Sequence, residues 1–267
     1  MYIDREHVKQ NFAEYTSAYD LSDEKIKLKV FHTYRVAELC ERIARAQGMG
    51  KDDVELAWLS GMLHDVGRFE QLRRFNTFSD AESVDHAKLG VDILFNGAES
   101  IGARSIRDYV SDCGEDEVLK TAILVHSLYR IPDGLSDRVQ SLCHILRDAD
   151  KIDILRVNVE TPLEDIYNTT TEEIRNAEVS EAVMDSFFEH HATLRSIKKT
   201  SVDHVVGHIS LVFELVYPES RAIVEEQGYL EKLFHFQSDN EKTAIQFKRL
   251  REEMSSFLLH NSINKEK

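Results

Sequence analysis

From Val54 to Val66 the chain is apolar almost throughout, Glu55 and Ser60 apart, and the run closes on the adjacent pair His64-Asp65. A helix that apolar is buried all round, and an imidazole and a carboxylate at its end need partners that offset the cost of burial. His32, His86, His126 and Asp150 carry the same chemistry and also lie in or beside apolar helical patterns. A metal cluster would satisfy the whole set.

The periodicity aims three of these residues inward. Apolar Leu28, Val36, Leu39 and Ile43 share one helical stripe with His32. His126 falls with Leu119, Ala122 and Ile123, and Asp150 with Val139, Leu142, Cys143 and Leu146. Any one histidine alone is better explained by hydrogen bonding in a core or cleft. An inward aspartate is harder to place without a partner, because aspartate is rarely buried unpaired. Asp148 lies off the Val139–Leu142–Leu146 stripe, whereas Asp153 stays on it.

Helix signals dominate the chain. Asp52 with Glu55, Thr161-Pro162 with Glu164, Thr170 with Glu173 and Ser238 with Glu241 have capping-box spacing, and Pro162 suits a first helical position. Only three prolines occur, and no sustained period-2 alternation of β-branched residues is visible, so the expected fold is all-α. Breaks fall near Gly48 to Gly50, Gly97 to Gly102, Cys113 to Gly114 and Ile131 to Gly134. The stretch from Val157 to Thr171 reads as a boundary, giving a ligand-bearing helical core over residues 1–157 and a C-terminal helical subdomain over 158–267. The tail after Leu259 is expected to fray.

The segments "HTYRVAELCERIA", "WLSGMLHDVGRFE" and "LRDADKIDIL", with the ordered residues His32, His64-Asp65 and Asp150, resemble the HD-domain superfamily of metal-dependent phosphohydrolases over about residues 25–157. His86 and His126 resemble the additional ligands of members that hold two metals. The resemblance implies an HD-domain helical bundle in which His32, His64, Asp65 and Asp150 hold one ion and Asp65, His86 and His126 a second. Asp65 would bridge and serve the catalysis directly. Two ions so bridged share a hydroxide nucleophile and clamp a phosphoryl group. The donor set suits divalent transition metals, manganese or iron foremost, with nickel, cobalt or zinc as alternatives.

The implied activity is hydrolysis of a small phosphate ester, a nucleotide leading. HD-fold di-iron oxygenases share the six ligands and form the first alternative; a non-catalytic sensor or interaction module forms the second. Two departures bear on the substrate. His126-Ser127 stands where several two-metal members have His-His, and no Gly-Tyr-Pro signature of cyclic-dinucleotide enzymes is visible. Arg68 stands where many members have lysine; it keeps the charge and adds a bidentate fork, so it reads as a catalytic-site substrate clamp and not as an acid.

The stretch from Arg68 to Asp85 reads as a loop, with Arg68, Arg73 and Arg74 beside Phe69, Phe75 and Phe78, a combination that could grip a phosphate and stack on a base. An ordinary capping loop is the competing reading. Lys151, next to Asp150, could turn toward the site or toward solvent. His204 and His208 share a helix face below His190-His191, but Val205 stands where a His-Glu-x-x-His motif needs glutamate, so core or surface positions are expected.

With 33 basic and 48 acidic side chains the net charge is −15, which argues against bulk binding to nucleic acid or an anionic membrane and leaves room for a small phosphorylated substrate. Cys40, Cys113 and Cys143 are too few for a disulfide framework. No signal-peptide pattern opens the chain and no 18-residue apolar stretch occurs, so a cytoplasmic location is expected.

Overall fold

Short acidic caps open the first helices. Asp4 accepts the backbone N–H groups of Glu6 and His7 to start α1 (Arg5–Thr16), and Asp23 accepts that of Lys25 to start α2 (Glu24–Ala46). The computed structural model describes residues 3–102, 104–167 and 169–263. The N-terminal unit continues with α3 (Lys51–Leu63), α4 (Val66–Phe75), α5 (His86–Phe95), α6 (Ile106–Tyr109) and α7 (Asp116–Val125), then α8 (Asp137–Glu160). No strand occurs among the described residues, so the fold is all-α.

Two compact units divide at Asp150 and Lys151, within α8. In the first, α2 packs along α3, α4 along α5, and α7 against both α3 and α5. Close backbone approach sets two of these crossings. A Cβ at Gly61 would lie 2.6 Å from the Ala37 Cα, bringing α3 against α2, and one at Gly67 would lie 2.1 Å from the His86 carbonyl oxygen and 2.6 Å from the Gly90 nitrogen. Only glycine permits helices this near. The buried aromatics Phe12, Tyr15, Tyr109 and Phe69 fill the core beside α1 and α4.

The second unit contains α9 (Leu163–Tyr167), α10 (Thr171–Asn176), α11 (Glu181–Phe188), α12 (Ser201–Ile209), α13 (Pro218–Gln227), α14 (Tyr229–Phe234) and α15 (Glu241–Ile263). Its core includes Ile174, Val183, Phe187, Val206, Ile209 and Leu250. Asp203, fully buried, accepts the backbone N–H groups of Ser180, Lys199 and Thr200 and the Ser180 hydroxyl, so its charge is matched by donors.

Several expectations shift. Gly50 caps α3, so Asp52 is a first-turn residue whose charge suits the helix N-terminus rather than the cap. Thr170 does cap α10, accepting from Glu173. Asn240, and not Ser238, accepts the Thr243 N–H ahead of α15. α9 begins one residue after Pro162. The tail is helical through Ile263, and its last four residues lie outside the described set.

The largest correction concerns the stretch read as a loop. Arg68, Arg73 and Arg74 lie on α4, because Val66, Phe69 and Leu72 bury a helical stripe, and the loop proper begins at Asn76, whose left-handed φ of 51° ends the helix. Asp148 is also a correction: it is fully buried, so the stripe on α8 does not separate it from Asp150.

Candidate metal centre

Five segments of the first unit converge on Asp65. α2 brings His32 and α8 brings Asp150; His64 follows the end of α3, His86 opens α5, and His126 follows the end of α7. His64 and Asp65 occupy the break between α3 and α4, where the chain turns with both side chains buried.

All four imidazoles present Nε2 to the Asp65 carboxylate, divided between its oxygens. His32 and His64 lie 3.6 and 3.5 Å from Oδ2. His86 and His126 lie 3.5 and 3.8 Å from Oδ1. The Asp150 Oδ1 joins the first pair, 3.1 Å from the His32 Nε2 and 3.9 Å from the His64 Nε2. Distance therefore places Asp150 with His32 and His64.

The hydrogen bonds behind the rings fix their tautomers. The Nδ1 of His64 donates to the Gly61 carbonyl at 2.7 Å, that of His126 to the Ile123 carbonyl at 2.6 Å, and that of His86 to the Asp80 carboxylate at 2.8 Å. Each of these rings then turns its Nε2 toward the cluster, and at His86 and His126, whose pKa values are lowered, that atom carries a bare lone pair. The Nε2 atoms of His86 and His126 are only 3.0 Å apart. Two lone pairs so close repel unless a cation lies within reach of both. Ligand nitrogens ~2.1 Å from one ion and at right angles to each other are separated by ~3.0 Å, so the donor set fits a metal.

The electrostatics agree. Burial alone would raise the Asp65 carboxyl, but Lys29, His64 and Arg68 outweigh it and hold the group well below the usual carboxylate range. Asp150 is likewise held low by His32, His64 and His126 against the effect of burial. Burial, then the neighbouring His86 and His64, pushes His126 down to about 3, and burial with Arg68 lowers His86. Neutral imidazoles and ionised carboxylates are the forms that ligate.

Lys29 was not anticipated. Its Nζ lies 2.7 Å from the Asp65 Oδ2, on the oxygen shared with His32 and His64, and 5.4 Å from the centre of the Phe78 ring. The one available signal was its place a helical turn before His32, on the same face of α2.

Arg68 does reach the cluster. Its Nη1 donates to the Phe78 carbonyl at 2.7 Å and to Gln71 and Asp80 at 2.8 Å, while its Nε, 3.7 Å from the Asp65 Oδ1, is buried with no hydrogen-bond partner. Arg73 and Arg74 are not brought there. Both pair with the buried Glu70 and line a cavity of about 700 Å³ with Ser100 and Arg104. Lys151 is half-buried beside Asp150 in sequence. His204 and His208 lie on α12 in the second unit, and His190 pairs with Glu253 at 2.7 Å.

Residues 30–155 match the family model described as HD domain. These residues carry an HD domain, whose all-α fold is of the metal-dependent phosphohydrolase type. All of the candidate ligands fall inside the match. No curated protein and no solved structure matches the chain. No helix among the described residues is long and apolar enough to cross a membrane.

Proposed function

We propose that the protein is a phosphohydrolase that cleaves a small phosphate ester, a nucleotide foremost, at a two-metal centre. His32, His64, Asp65 and Asp150 would hold one ion, and Asp65, His86 and His126 the other, manganese or iron being the leading candidates. The observation that carries this reading is the division of the Asp65 carboxylate: one pair of imidazoles faces each oxygen, as a bridging carboxylate requires. Two bound ions would supply Lewis acidity, activating a water and neutralising phosphate oxygens.

The chain's own groups set the rest. Asp65, buried and kept ionised, holds the two ligand sets in register. Arg68 offers a buried Nε–H with no protein acceptor beside the cluster, a donor suited to a phosphate oxygen. Lys29 adds a second positive charge, and Phe78 covers both cations, its ring centre 5.4 Å from the Lys29 Nζ and 5.9 Å from the Arg68 Cζ. Lys29 and Arg68 are matched by Asp65, Asp80 and Asp150, so the two bound ions would supply the net positive charge that a phosphate meets here in an otherwise strongly acidic chain. Three free cysteines, two of them buried, suit a reducing cytoplasm.

The test is a panel of phosphate monoesters and nucleotides assayed for phosphate release with protein reconstituted in manganese or iron. Release that stops on chelation and returns on adding metal supports the reading. No release from any member, or oxygen uptake by the iron form, contradicts it, and oxygen uptake would favour the oxygenase.

A further inference from the structure

Asp80 lies outside the ligand set, in the connection between α4 and α5, yet it is joined to the cluster on two sides. Its Oδ2 and Oδ1 are 2.8 and 3.0 Å from the His86 Nδ1, behind the nitrogen that faces Asp65. Its Oδ1 also accepts from the Arg68 Nη1 at 2.8 Å and the Gln71 Nε2 at 2.9 Å. These bonds hold the carboxyl low: burial opposes ionisation, and His86, Arg68 and Gln71 overcome it. Asp80, Asp85 and His86 also form a compact group of donors, but the Asp85 carboxylate caps α5 through the Lys88 N–H and the His86 Nδ1 is already bound to Asp80. That group is a support for His86, not a separate site.

The same residues hold the connecting loop. The fully buried Gln71 donates to the Ser83 hydroxyl at 2.9 Å and the Val84 carbonyl at 2.8 Å, and Arg68 donates to the Phe78 carbonyl at 2.7 Å. Residues 76–85, with Phe78 over Lys29 and Arg68, are therefore tied to α4 through groups that meet at Asp80. A carboxylate behind a ligating histidine fixes its tautomer and orientation and strengthens it as a ligand.

We infer that Asp80 is a positioning residue for His86, and that through it the second ion and the 76–85 loop form one thermodynamic unit. This rests on the two-metal reading. The ion binds tightly only with the loop in place, and by linkage the ion holds the loop, and with it the Phe78 cover over the substrate cations.

The experiment titrates metal-free full-length protein with manganese by calorimetry, while hydrogen exchange follows amides 76–85. Wild type should take up two ions, with exchange in 76–85 slowing on the second equivalent. Asp80→Asn should keep one ion at wild-type affinity and bind the other ~10–100-fold more weakly, without slowing of the loop. Asp80→Glu should restore part of the second affinity. Wild-type affinities for both ions in Asp80→Asn, or exchange indifferent to the second equivalent in wild type, overturns the inference. If Asp80→Asn does not fold, the wild-type exchange result decides alone. A wild type that takes up no second ion overturns the two-metal reading itself, and the inference with it.

Discussion

At the scale of single residues, ionisation states prepare the site. His126 sits among other imidazoles and is pushed down to about 3 from an ordinary value of 6.5, burial being the first cause. Below about 6.5 the unfolded chain takes up a proton at this position that the folded chain refuses, so the folded state of metal-free protein should lose stability as pH falls from 6.5 toward 3. Denaturant midpoints between pH 7.5 and 5 check this, and His126→Gln should flatten the slope; an unchanged slope would mean that His126 is protonated in the fold. Lys29 competes with a cation for the Asp65 Oδ2 through a charge-assisted hydrogen bond, a contact worth ~1.5–3 kcal/mol. Lys29→Met should therefore raise manganese affinity, by roughly tenfold or more, while weakening substrate binding. Equal or lower metal affinity would show that the lysine does not oppose the ion. Arg68→Lys keeps a charge for Asp80 but removes the buried Nε–H, so kcat/KM should fall ~10- to 150-fold with metal content intact, again the worth of a hydrogen bond to a charged group. No loss would make Arg68 purely a support for Asp80.

Among the elements, the decisive geometry is the break between α3 and α4 and the two glycine crossings around it. Gly61 lets α3 approach α2, which carries His32, and Gly67 lets α4 approach the start of α5, which carries His86. At Gly67 a Cβ would meet backbone, which cannot swing away as a side chain would. Gly67→Ala should thus cost ~1–3 kcal/mol of stability, as overpacking does, and weaken the ion assigned to His86 and His126 more than the other. Equal stability with both ions intact would show that the helices can part without disturbing the ligands. These crossings were not legible in the sequence, since a glycine in an apolar run gives no hint of which backbone approaches it. The apolar stripes were legible for α2 and α7, where one face carries the burial. α4 was missed because its arginines and phenylalanines imitate a binding loop. Only the packing of Val66, Phe69 and Leu72 reveals the helix.

For the whole molecule, the capping-box spacings and the lack of period-2 alternation made the all-α class readable in the sequence, and the ordered His32, His64-Asp65 and Asp150 with their flanking segments carried the resemblance to the HD domain. Lys29, Asp80 and Gln71 could not be read that way. Their roles depend on distances across α2, α4 and the 76–85 loop, and polar partners brought together from separate segments follow no period. The second unit, residues 151–267, is a helical body whose buried Asp203 is satisfied by its own backbone donors. The central claim is that Asp65 joins two ions in one centre. It is tested most directly by counting metal per chain after reconstitution and desalting, in wild type, His32→Ala, His126→Ala and Asp65→Asn, each checked for helical content. The account predicts two ions in wild type, one in each histidine variant and fewer than one in Asp65→Asn. Two ions retained by Asp65→Asn, or no more than one in wild type, would contradict it.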